Sequence, residues 1–102
     1  MTSTKYESKT NLRIDMPEIS RFFGIVIMMF WDDHNPPHFH ARYNEFEVQI
    51  LISNGNVLEG EIPRRQLRLV QAWAELHKEE LKNNWDELAN NPPSYKKIDP
   101  LR

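Results

Sequence analysis

A chain of 102 residues has room for one compact domain, and its 39% hydrophobic and 11% aromatic residues allow a core without covalent or metal staples. Cysteine is absent, which excludes a disulfide framework, a thiolate zinc site and a cysteine nucleophile, and leaves only His, carboxylate or carbonyl ligands for any metal. The formal net charge of -2 supplies no global field for nucleic acid, so such binding needs a local basic patch.

Residues 1–15 are polar and lack the apolar stretch of roughly 7–15 residues that a signal peptide requires. They read as a flexible extension before a single domain over residues 16–91, and the compartment expected is the cytoplasm. The longest apolar run, Ile25 to Trp31, falls far short of the roughly 20 residues that span a bilayer, so no membrane role is expected. That run has no polar break and reads as a strand covered on both faces.

The next strand alternates. Phe39, Ala41 and Tyr43 point one way and His38, His40 and Arg42 the other. A two-residue loop, Asn44-Glu45, pairs it with Phe46 to Ile52, setting Tyr43 opposite Phe46, Arg42 opposite Glu47, Ala41 opposite Val48, His40 opposite Gln49 and Phe39 opposite Ile50. Asn54-Gly55 predicts a type I′ turn into a further strand near Asn56–Glu59, which Gly60 then ends.

Pro63 suits the first turn of a helix. Leu67, Val70, Trp73, Ala74, His77, Leu81, Trp85 and Leu88 recur every three or four residues, predicting one long helix that Asn90-Asn91-Pro92-Pro93 stops. Residues 92–102 form a tail in which Ile98 and Leu101 can dock. The expected architecture is α+β: an antiparallel meander of three or four strands packed on one long C-terminal helix. A helix laid on the Phe39, Ala41, Val48 and Ile50 face leaves the histidine face exposed. Leu51 and Leu58 make that face apolar enough to call for a partner protein, a second copy of the chain or a terminal segment.

Asp33, His34, His38 and His40 are the densest set of ionisable and metal-competent side chains. His38 and His40, two apart on a strand, project from one face, which suits shared coordination of a divalent ion or an acid–base pair. The alternative is structural: hydrogen bonds across the sheet, for instance to Gln49, with the aspartates holding loop amides. Arg64, Arg65 and Arg68 open the helix, where positive charge opposes the helix dipole. They either pair with Glu59, Glu61 or Glu18, or form an anion site for phosphate or a partner's carboxylates. His77, between Trp73 and Leu81, reads as a buried, hydrogen-bonded core residue.

Pro17-Glu18-Ile19-Ser20-Arg21-Phe22-Phe23-Gly24-Ile25-Val26-Ile27, Asp33-His34-Asn35-Pro36-Pro37-His38-Phe39-His40-Ala41, Val57-Leu58-Glu59-Gly60, Pro63-Arg64-Arg65 and Trp73-Ala74-Glu75-Leu76-His77 occur in that order. Together they resemble the small bacterial domain-of-unknown-function family 4160, over about Met16 to Leu101. The family often begins at a Met-Pro dipeptide, and Asn35 stands where a third proline is common. The resemblance implies a gene neighbour of domain-of-unknown-function family 2442, hence a toxin–antitoxin-like pair, but no assigned chemistry.

The leading expectation is therefore a protein-interaction component of such a pair, with a cognate small protein or a second copy as partner. Its binding surface would include Asp33, His34, Arg42, Gln49, Arg64, Arg65 and Arg68. A second expectation is a nuclease-like enzyme on nucleic acid, with His38 and His40 catalytic, a divalent metal on Asp33, His34, His38 and His40, and the arginines on phosphate. A third is a non-enzymatic inhibitor that masks a partner. No cofactor is otherwise indicated.

Overall fold

The computed structural model describes residues 17–31 and 33–102; the expected extension over residues 1–15 and the loop residue Asp32 lie outside the described residues. Five strands, β1 (Glu18–Phe22), β2 (Ile25–Met28), β3 (His38–Tyr43), β4 (Phe46–Leu51) and β5 (Val57–Glu61), are followed by helices α1 (Arg64–Leu76) and α2 (Lys78–Leu88). The strands form one antiparallel sheet in chain order, so the class is α+β and the sheet is a meander. Among the described residues, no helix is long and apolar enough to cross a membrane.

The β3–β4 register is the one that alternation dictates, from Tyr43 opposite Phe46 to Phe39 opposite Ile50. Its inner face carries Phe39, Ala41, Val48 and Ile50, which join Ile19, Ile25 and Ile27 in a core closed by Val70 and Trp73 of α1 and by Leu81 and Leu88 of α2. Each of these is at least nine-tenths buried, and such burial contributes roughly 1.5–3 kcal/mol per large side chain.

Three expectations are corrected. The sheet has a fifth strand, β1, hidden in the sequence by a bulge: Glu18 pairs with Met28 and Ser20 with Ile27, leaving Ile19 as the extra residue. Ile19 and Ser20 are then both buried, and the period-two signature disappears. Secondly, Gly60 lies inside β5 rather than ending it. Leu58 is the extra residue of a second bulge, and Gly60 stands opposite Val48 at φ +83°. Thirdly, Asn54-Gly55 is not a type I′ turn, because only Gly55 takes positive φ. The Gly55 N–H donates to the Leu51 carbonyl at 2.9 Å, and Asn54 Oδ1 accepts the Asn56 N–H at 2.9 Å.

The single long helix is also two helices. His77 leaves helical geometry at φ -120° and ψ 28° and separates α1 from α2. The apolar period runs through the break because the His77 carbonyl still accepts the Leu81 N–H at 2.9 Å. Glu79 and Glu80 then occupy the first turn of α2, where the helix dipole favours acids.

Residues 94–102 fold back on the domain. Asn84, buried on the inner face of α2, donates to the Lys96 carbonyl at 2.9 Å and accepts the Lys96 N–H at 2.8 Å. Trp73 Nε1–H donates to the Asp99 carbonyl at 2.8 Å, and the buried Ile98 donates its N–H to the Ile19 carbonyl at 3.0 Å. The tail therefore lies against β1 and both helices.

Candidate functional site

The turn after β2 carries Asp33 back over the outer face of the sheet, where period two has placed His38 and His40 of β3 side by side. Asp33 Oδ2 stands 3.0 Å from His38 Nε2 and 3.2 Å from His40 Nε2. The ligand-capable atoms of Asp33, His38 and His40 all lie within 4.8 Å of one another, a grouping that can hold a metal ion. The other end of each group is also engaged. Asp33 Oδ1 accepts the His34 N–H at 3.1 Å, His38 Nδ1–H donates to the Pro36 carbonyl at 2.7 Å, and His40 Nδ1 lies within hydrogen-bonding distance of Glu47 Oε2, at 3.3 Å. Glu47 is held in turn by Arg42 at 3.2 Å, its cross-strand neighbour.

The outer face does not leave the histidines accessible as alternation alone implies. His38 is 1% exposed and His40 7%. Phe30 sets its ring edge-on to His40 at 4.3 Å between centroids, and Trp85 of α2 lies against His38 at 5.4 Å. Asp33 keeps 17% of its side chain exposed. It borders a cleft of about 260 Å³ that Phe30, Trp31, Asn35, Trp85 and Leu88 also line. The cluster thus meets solvent on the Asp33 side, in low-dielectric surroundings that strengthen any charge interaction within it.

Of the residues singled out in the sequence, Asp33, His38 and His40 converge, and Arg42 reaches them through Glu47. His34 does not join them: it is exposed, its Nδ1–H donates to the Asn35 carbonyl at 3.2 Å, and its ring lies 6.1 Å from that of His38. Gln49 sits opposite His40, but His40 bonds to Asp33 and Glu47 instead.

Arg64, Arg65 and Arg68 are exposed and make no ion pair among the described residues. Glu18 is taken by Arg21 at 2.8 Å, and the hydrogen bond from Arg21 holds its carboxyl below the usual range. The arginines follow Glu61, which pairs with Glu47, whereas His38 pairs with Leu51. Four residue steps along β4, roughly 13 Å, separate those two ends.

His77 packs on Trp73 at 5.5 Å between ring centroids and is hydrogen-bonded to Glu80, one residue beyond the end of α1. Glu47, Phe30 and Trp85 are the site residues that sequence reasoning missed. Only Glu47 had a local signal, its pairing opposite Arg42.

Residues 24–86, more than half of the chain, match the family described as Domain of unknown function (DUF4160). No curated protein and no solved structure matches the chain.

Proposed function

We propose that this chain, which belongs to the DUF4160 family, is the protein-binding member of a paired small-protein system and takes a partner strand onto the edge of β5. The observation that carries this reading is the state of the two sheet edges. β1 has the chain's own tail against it, whereas β5 pairs with β4 on one side and all five of its residues are exposed. Val57 at 43% and Leu58 at 39% exposure put apolar side chains at the start of that edge, ahead of Glu59 and Glu61, and exposed apolar residues on an unpaired strand favour pairing with another chain. Strand addition supplies main-chain hydrogen bonds, and alternate side chains then set specificity.

Arg64, Arg65 and Arg68 begin just beyond the strand and offer guanidinium forks to a partner's carboxylates. On this reading the binding surface is β5 and the start of α1 rather than the histidine loop. The family resemblance supports a neighbouring gene product as the partner, in a toxin–antitoxin-like arrangement. Co-expression of the full chain with the small protein encoded beside it, followed by native mass spectrometry, tests the reading. A stoichiometric complex is expected, weakened at least tenfold by Val57→Lys with Leu58→Lys. An unweakened complex from a variant with an unchanged circular dichroism spectrum overturns it.

A further inference from the structure

The geometry points to a divalent transition-metal site formed by Asp33 Oδ2, His38 Nε2 and His40 Nε2, with zinc as the ion that fits the donor set. The argument begins with the protons on the rings. A backbone carbonyl and an ionised carboxylate only accept hydrogen bonds. The contact of His38 Nδ1 to the Pro36 carbonyl therefore places the proton of that neutral ring on Nδ1, whereas His40 meets a carboxylate at each nitrogen, Glu47 Oε2 at 3.3 Å from Nδ1 and Asp33 Oδ2 at 3.2 Å from Nε2, so that an ion on Nε2 leaves the ring proton for Glu47. The His38 Nε2 is then a bare lone pair, and it and the His40 Nε2 face the same Asp33 oxygen, at 3.0 and 3.2 Å.

A bare nitrogen and a carboxylate oxygen 3.0 Å apart, as at His38 and Asp33, repel unless positive charge lies between them. One divalent ion supplies that charge and satisfies all three donors together.

Two further observations agree. A tetrahedral ion about 2.0–2.1 Å from each donor sets donor–donor separations of roughly 3.3 Å, close to the two found between Asp33 and the histidines. The outer contacts are also those that metal ligands have. A ligating histidine donates its other N–H to a carbonyl or carboxylate, which fixes the tautomer and raises ligand basicity. His38 does so to Pro36, His40 does so to Glu47, and Glu47 is anchored by Arg42. Imidazole and carboxylate without thiolate suit zinc and its first-row neighbours. Three protein donors leave one tetrahedral position for water, on the side where the cleft beside Asp33 opens.

The site is independent of docking at β5, so either can fail alone. The test uses the full chain, stripped with a chelator and then titrated with Zn²⁺ in a calorimeter and with Co²⁺ by visible absorption. One ion per chain is expected, with the intense absorption of tetrahedral Co²⁺. Asp33→Asn and His40→Gln should each weaken Zn²⁺ at least a hundredfold, and His34→Gln should leave it unchanged. Glu47→Gln keeps the shape but loses the outer carboxylate, and should weaken binding by about 10–100-fold. If a ligand variant fails to fold, Glu47→Gln and the Zn²⁺-induced rise in unfolding temperature of the unaltered chain decide the matter. Absence of stoichiometric Zn²⁺ binding, or full affinity in a folded Asp33→Asn or Glu47→Gln chain, overturns the proposal.

Discussion

Gly60 shows how one residue fixes the path of a strand. At φ +83° it occupies a backbone region that L side chains rarely adopt, and a Cβ there would come within 2.4 Å of the Glu47 carbonyl oxygen. The obstructing atom is backbone and cannot swing aside. Gly60→Ala should therefore cost about 2–3 kcal/mol, read as a lower midpoint in denaturant; an unchanged midpoint would show that β5 rearranges freely. In the sequence this glycine reads as a full stop, because a break and a bulge carry the same local signal. The histidines were legible to the same depth. Period two brings His38 and His40 onto one face, but their burial comes from Phe30 and Trp85, and Trp85 lies 45 or more residues from them in the chain.

At the scale of elements, β3 and β4 were readable because strict alternation and a two-residue loop leave one register that pairs apolar with apolar. β1 was not, since its bulge turns Ile19 and Ser20 both inward. The helical region was readable in its apolar face but not in its continuity. The clues to the break are Leu76, 71% exposed at the end of α1, and the acids that restart α2. Asn84 shows why polarity misleads on that face: it is buried because it replaces water with both backbone groups of Lys96. Asn84→Ala removes both bonds, so the Lys96 N–H and carbonyl lose their protein partner. A loss of about 1–3 kcal/mol is expected, with faster hydrogen exchange at the Lys96 and Ile98 amides. Unchanged exchange there would mean that the tail is held by Trp73 and Ile98 alone.

For the molecule as a whole, the tail is as much a part of the sheet's surroundings as the helices are. Ile98 fills the core beside Ile19 while its N–H meets the β1 backbone, so one segment closes a face and an edge together. The sequence offered Ile98 and Leu101 as docking points, and both meet the core, but the backbone anchors at Lys96, Ile98 and Asp99 carry no side-chain signature.

Among the described residues the sheet has one accessible edge, β5, and such a sheet can grow in one direction only. Two copies meeting at β5 would each present a tail-covered β1 outward, so association would close at a twofold pair and could not propagate into a filament. A partner strand occupying β5 would likewise end the sheet. Concentrating the chain alone should shift its mass in analytical ultracentrifugation toward a dimer and no further. Removing residues 94–102 opens the second edge, and growth beyond the dimer is then expected.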